Sequence, residues 1–439
     1  MPPGARQQIL CHTGLLKNME YERTALENGM RVVTCRMPHT RSVSLMFFVM
    51  TGSCYENDGE AGLSHFIEHM CFKGTKKRGS SREISEAIEG VGGILNGGTD
   101  RELTSYWCKL ASQHLEMAVD VIVDLVRRPL FRQEDVEKER QVIIEEINMS
   151  LDSPQQRVGM ILDEMMWPGK PLGRDVAGTK ETVTAITRNQ MIGYIDRFYT
   201  PANMLVSIAG DFDLDKVLDL LRQAEAGWHA GERPQYIDSK VDQASPRTRI
   251  EYRETEQVNL TLGIEGLSIF DPDRFVLDLL SMVMGEGMSS RLFTEIREKL
   301  GLAYDIHSYA EHFRETGSFV IQAGIDPAQT GKAVRAILEQ VSAARDGISR
   351  AEIDKAREMA KGRMLLSMEN SRNVAGWYGA QEALTGKIMS IDEVTQIIEG
   401  ITLEDIRRVA GSLFLTEKLN LAVVGPVKDE AGIAGLVRL

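Results

Sequence analysis

One pattern occurs twice in this chain, and that repetition limits the folds open to it more than any other feature. Residues 186–210 read ITRNQMIGYIDRFYTPANMLVSIAG, residues 401–425 read ITLEDIRRVAGSLFLTEKLNLAVVG, and the two align without a gap at an offset of 215 (401 − 186). Each reads as a short amphipathic helix followed by an alternating strand that ends at Gly; the strands carry Met204-Val206-Ile208 and Leu419-Leu421-Val423. An opening match, strand pair then loop then helix, spans 31–73 and again 247–285. Identities are few, so the register rests on pattern. Two similar halves arising by duplication are expected, and 439 residues exceed one ordinary core.

The division that follows is an unassigned extension over 1–16, a first half over 17–227, a linker over 228–247 carrying Pro234 and Pro246, and a second half over 248–439. In the first half, strands are expected near 31–34 and 43–51. A helix is expected from about Asp58 to Gly74, then one opened by the capping box Ser80-x-x-Glu83. An extended strand follows over 94–110, a helix over 114–128 closed by Pro129, and another from Gln133 to about Leu151. Strands and helices mix without regular β-α-β alternation, so the fold class is α+β, with a mainly antiparallel sheet flanked by helices in each half.

The first predicted helix holds His65-Phe66-Ile67-Glu68-His69. Positions i and i+4 share a helix face with i+3 beside them. His65 and His69 can thus bind one metal ion while Glu68 reaches a water on it. Two His leave a catalytic zinc site incomplete, because such sites use three protein ligands and an open position. The helix after Gln133 offers Glu134, Glu137, Glu139, Glu145 and Glu146. Glu139 and Glu146 lie two turns apart on a face shared with Val142 and Ile143, which predicts that this face points inward.

Composition excludes several classes. A net charge of −13 without a basic stripe disfavours nucleic acid and anionic membranes as partners. No apolar run is long enough to span a bilayer, and 1–16 shows neither signal-peptide nor transit-peptide character. Five cysteines without a C-x-x-C fit reduced thiols and a cytoplasmic location.

With H-x-x-E-H followed 77 residues on (146 − 69) by a Glu that closes an E-x₆-E spacing, the chain resembles the pitrilysin/insulinase zinc metallopeptidases, and within them the bacterial relatives of the mitochondrial processing peptidase. The resemblance implies one Zn²⁺ per chain held by His65, His69 and Glu146, with Glu139 supporting from behind, Glu68 as general base, and Glu145 second in rank to Glu146. In REKLGLAY, Arg297 and Tyr304 match a family pair in which the Tyr stabilises the oxyanion and the Arg holds the substrate backbone. Asn96, Gly97 and Thr99 lie on a strand resembling the edge on which these enzymes lay a peptide; the family usually has a small residue after the Asn, and Gly97-Gly98 is looser than usual.

The resemblance also implies the processing-peptidase/LuxS-like metallohydrolase fold and a chamber of four halves that admits short or unfolded peptides. One chain supplies two halves, so a homodimer follows, with Arg297 and Tyr304 acting on the partner's zinc. A heterodimer with a metal-free homologue is the alternative. Where the processing peptidase has acidic residues that read an Arg, this chain has Gln156 and Met160, although Asp163 and Glu164 lie close by. General peptide degradation or bacterial-type processing is therefore favoured over strict Arg-directed cleavage. A non-catalytic scaffold, like the core subunits of a respiratory complex, is the reading from another class; such subunits tend to have lost the motif.

Overall fold

A computed structural model describes residues 6–9, 20–225 and 227–439. Two compact units are present, and neither is a contiguous half. One comprises 1–147, 175–237 and 365–392; the other comprises 148–174, 238–364 and 393–439. The contiguous halves expected at 17–227 and 248–439 thus exchange segments. Residues 228–246, most of the expected linker, carry no helix or strand.

The first unit is built on seven strands: β1 (Arg6–Ile9), β2 (Tyr21–Ala25), β3 (Arg31–Arg36), β4 (Ser42–Val49), β5 (Ile94–Thr99), β6 (Thr104–Ala111) and β7 (Met204–Gly210). Their order is β1-β2-β3-β7-β4-β6-β5. The second sheet holds β8 (Arg247–Tyr252), β9 (Val258–Glu265), β10 (Ala303–His312), β11 (Gly317–Ile325) and β12 (Leu419–Gly425), in the order β10-β11-β9-β12-β8. Reading β3-β7-β4-β6-β5 against β8-β12-β9-β11-β10 gives one topology twice. Among the described residues, only β3 with β7 and β8 with β12 pair in parallel. Register repeats as well: Val49 faces Met204 and Thr104 in one sheet, and Ile264 faces Leu419 and Phe319 in the other, each 215 residues on. The fold is α+β with two similar halves, as expected.

The repeated helix-strand segments show why so few identities suffice. Thr187 with Gln190 and Thr402 with Asp405 both form capping boxes, placing the helices Arg188–Phe198 and Leu403–Leu413 at corresponding positions. The strands that follow, β7 and β12, are buried along their whole length at the centre of their sheets.

The exchange is reciprocal. Helix Ser371–Thr385, from the second half of the chain, packs on the first sheet. There the Ser207 hydroxyl donates to the Ala375 carbonyl (2.7 Å), and Tyr378 lies against Tyr21 (5.2 Å between ring centroids). Glu382 on this helix, 1% exposed, takes Arg31 Nη1 at 2.6 Å on Oε1 and Arg23 Nη2 at 2.7 Å on Oε2. The helix Pro154–Met166, from the first half, packs on the second sheet, with Leu162 and Met166 against Gly263 and an Arg157–Glu251 ion pair at 2.9 Å.

Three local expectations are corrected. The extended stretch 94–110 is a hairpin, β5 and β6, whose turn is closed by Asp100 N–H donating to the Leu103 carbonyl (2.8 Å); Asp100–Leu103 include neither Gly nor Pro to mark it. The helix expected from Asp58 begins instead at Leu63, because a separate 3₁₀ turn over Asp58–Glu60 ends before Gly62, whose φ is +92°. A Cβ on Gly62 would stand 2.4 Å from the Ala177 carbonyl oxygen, so only Gly allows this approach. Val142 is 45% exposed whereas Ile143 is buried, so the inward face of its helix runs Val136, Glu139, Arg140, Ile143, Ile147.

Among the described residues, no helix is long and apolar enough to cross a membrane. Cys35, Cys54, Cys71 and Cys108 are buried and not in disulfides; Cys11 and the extension apart from 6–9 lie outside the described residues.

Candidate metal centre

The helix Leu63–Cys71 (α1) carries the His-x-x-Glu-His motif on its buried side. Its N-terminus is satisfied from a distance: Glu56, itself buried, accepts from Gly62 N–H (2.9 Å), Ser64 N–H (2.6 Å) and the Ser64 hydroxyl (2.6 Å). A carboxylate among unpaired amide donors suits the positive end of the helix and fixes where α1 starts. Sequence reasoning missed Glu56, and no local motif marks a cap six residues upstream.

The helix Gln133–Asp152 (α2) lies opposite. Arg140, buried, donates to the carbonyls of Val183, Thr184 and Ile186, and its guanidinium sits 5.6 Å from the Phe66 ring centre. This anchoring sets α2 at a fixed distance from α1.

Between the helices, His65 Nε2 and His69 Nε2 face each other at 3.2 Å, and Glu146 Oε2 lies 3.9 Å from the first and 3.6 Å from the second. Tetrahedral zinc with Zn–N near 2.05 Å separates two ligand nitrogens by about 3.3 Å. The two nitrogens match that spacing, and Glu146 Oε2 stands a few tenths of an ångström outside it. His65, Glu68 and His69 also offer ligand atoms within 4.8 Å of one another. That grouping has Glu68 where the sequence reading has Glu146, whose Oε2 lies within 3.9 Å of both imidazole nitrogens. Glu145 is exposed.

His69 Nδ1 lies 2.9 Å from Glu139 Oε1. An ionised carboxylate only accepts, so Nδ1 bears the proton and Nε2 presents a lone pair to the site. Burial is the largest influence on His69 and lowers its pKa, but Glu139 and the other carboxylates outweigh it and the net shift is upward. His65 differs: its Nδ1 is buried without a hydrogen-bond partner, and burial, then the neighbouring His69, lowers it to about 4. A depressed pKa leaves an imidazole neutral and able to ligate.

Glu68 is 9% exposed, and burial raises its pKa above the usual carboxylate range. Its Oε2 accepts from the Thr99 hydroxyl at 3.4 Å. Thr99 belongs to β5, the outermost strand of its sheet, so one side of β5 has no strand partner among the described residues. Gly97 on that strand is the close approach: a Cβ there would stand 2.9 Å from the Phe72 ring and 3.0 Å from Glu68 Oε1. Asn96 Oδ1 accepts from Gly97 N–H at 2.8 Å. The expected site residues Asn96, Gly97, Thr99, Glu68, His65, His69, Glu139 and Glu146 are thus gathered in one unit. Arg297 and Tyr304 are in the other unit. Arg297 is exposed, 4.6 Å over the Phe293 ring, and Tyr304 on β10 is 76% exposed, far from the buried position typical of an aromatic.

Residues 31–180 match the family Insulinase (Peptidase family M16), and residues 185–360 match Peptidase M16 inactive domain. A protein of Streptomyces coelicolor named an uncharacterized zinc protease is 35% identical over 415 residues, covering 93% of this chain and 90% of that protein. The chain belongs to the insulinase family. A second relative of that name in Bacillus subtilis, YmxG, is 32% identical over 411 residues, covering 92% of this chain and 98% of its own length. Among solved structures, a protease from Helicobacter pylori superposes with a TM-score of 0.86 at 22% identity, covering 92% of this chain and 99% of that one. A chain of Complex III2 from Candida albicans superposes at 0.81 with 18% identity, covering 95% and 99%. At these identities the structures establish the fold alone.

The insulinase-family fold repeats without repeating the site. At the offset of 215, His65, Glu68 and His69 correspond to Leu280, Val283 and Met284, all buried in the helix Arg274–Gly285. Where the first half gathers ligands, the second has apolar core.

Proposed function

We propose that this chain is a zinc-dependent endopeptidase acting on short or unfolded peptides. The observation that carries the reading is the meeting of His65 Nε2 and His69 Nε2 at zinc-ligand spacing, with Glu146 Oε2 within 3.9 Å of both and Glu68 beside them. Relatives named as zinc proteases support the same conclusion.

His65, His69 and Glu146 would hold the metal. Bound there, zinc supplies a Lewis acid and acidifies a water. Glu139 keeps the proton on His69 Nδ1, so Nε2 stays available. Glu68, its basicity raised by burial, takes a proton from the attacking water and hands it to the leaving amine. The open side of β5 aligns an extended peptide through backbone hydrogen bonds, a recognition mode that tolerates many sequences. For that peptide to pair, the Asn96 side chain must release Gly97 N–H.

The active form in this proposal is a homodimer with one zinc per chain, in which Arg297 and Tyr304 of one copy serve the zinc of the other; the Tyr hydroxyl donates to the oxyanion. The exposure of Tyr304 leaves its hydroxyl able to do so. The test is hydrolysis of a mixed peptide library by the purified chain alone. Chelator-sensitive cleavage restored by zinc is expected, and no cleavage without a second protein would favour the heterodimer. Mixing Glu68→Gln and Tyr304→Phe chains addresses the pairing. Heterodimers regain one intact site, and absence of recovery would refute composite sites.

A further inference from the structure

We infer that Lys73 is a positioning residue for the metal centre: its ammonium fixes the Glu139 carboxylate against His69, and so aims His69 Nε2 at the metal. The inference rests on the metal-centre reading above.

The two helices meet as a ladder of charge. His65, His69 and Lys73 are spaced by four along and just beyond α1, so they share one face. Glu146 and Glu139 are two turns apart on α2. Moving along α1, His65 and His69 meet Glu146 (3.9 and 3.6 Å), His69 also meets Glu139 (2.9 Å), and Lys73 meets Glu139 (2.6 Å). The partners on α2 descend as those on α1 ascend.

Glu139 is the pivot. It is 5% exposed, and its two oxygens are divided: Oε1 faces His69 Nδ1 and Oε2 faces Lys73 Nζ. A buried carboxylate held on one oxygen alone can turn about its terminal torsion, and its charge lacks a counterion. Held on both, it has one orientation, and His69 Nδ1–H has one place to donate. The orientation of the imidazole then follows, and with it the direction of Nε2. Groups behind a metal-bound His tune affinity in this way, and their loss typically costs about 10- to 100-fold. Lys73 is one-third exposed, so an altered side chain here meets solvent rather than a packed wall.

The experiment is zinc affinity, measured by competition with a chromogenic chelator on the full chain. Lys73→Met is expected to weaken binding about 10- to 100-fold, and Lys73→Arg to restore most of it. In a Glu139→Gln background, Lys73→Met should add little, because the carboxylate through which it acts is gone. Lys73→Gln takes its place in the same cycle if the Met variant does not fold. Equal losses in both backgrounds would overturn the inference, since a merely structural Lys would behave so. A wild-type chain that binds zinc while Lys73→Met binds equally tightly would overturn this inference and leave the metal centre intact. A wild-type chain that binds no zinc would overturn the metal centre itself.

Discussion

Glu382→Ala should destabilise the first unit severely, although Glu382 is far along the chain from the strands it braces. The carboxylate is 1% exposed and is shared by Arg31 at 2.6 Å and Arg23 at 2.7 Å. Removing it leaves the Arg31 guanidinium, 18% exposed, buried without its counter-charge. Burial already lowers the Arg31 pKa, and Arg233 and Arg23 add repulsion that Glu382 offsets. Breaking a buried pair from one side costs about 3–5 kcal/mol. Arg23, 25% exposed, can turn toward water, so the lower end of that range applies. About 3 kcal/mol in a unit of this size corresponds to a fall of about 6–12 °C in Tm, read by thermal denaturation followed by circular dichroism. The exposed pair Arg82–Glu86 provides a control: Glu86→Ala should move Tm by no more than about 2 °C. Arg31→Met combined with Glu382→Leu should recover most of the loss, because apolar replacement of a buried pair is close to neutral. A Glu382→Ala chain that melts like wild type would refute the idea that this ion cluster locks the exchanged helix to its sheet.

Three further outcomes are expected. Gly97→Val should reduce peptide hydrolysis by at least about tenfold with little change in zinc content, because the added atoms enter the space held by Phe72 and Glu68; steady-state kinetics with metal analysis checks this, and unchanged activity would show that β5 lies outside the reaction. Glu146→Gln should weaken zinc binding, because the amide oxygen replaces an anionic ligand; unchanged affinity would return the third-ligand assignment to Glu68 or Glu145. Arg291 and the Ser349 groups hold Glu352 down to about 2, from an ordinary 4.5. A depressed carboxylate stabilises the fold above its unfolded pKa and loses that contribution as pH falls toward its folded one. The Tm advantage of wild type over Glu352→Gln should therefore be full at pH 6 and shrink between about pH 4.5 and 2; a pH-independent difference would contradict it.

What the sequence revealed and what it hid have separate physical causes. The repeat was legible because caps and strand alternation are local: Thr187/Gln190 and Thr402/Asp405 mark the same helix start twice. The exchange of helices was not, because the amphipathic pattern of Pro154–Met166 is the same whichever sheet it covers. The turn between β5 and β6 was lost because Asp100–Leu103 include neither Gly nor Pro to mark it. The motif face of α1 followed from helical spacing, whereas Glu146 came from resemblance. Pattern favoured a face that included Val142, and the structure turns that residue to solvent. Glu56 had no local signal, and the spacing of Lys73 from His69 gave its face but not its partner. Their partners are set by the packing of α1 against its neighbours, which periodicity along one chain cannot express.

The most direct test compares wild type with Glu68→Gln for zinc content and peptide hydrolysis in the same preparation. The proposed function predicts one zinc per chain in both proteins, with chelator-sensitive hydrolysis in wild type and loss of at least about 10²-fold in the variant. Hydrolysis that persists in Glu68→Gln, or a wild-type chain that cleaves peptides without zinc, would contradict it.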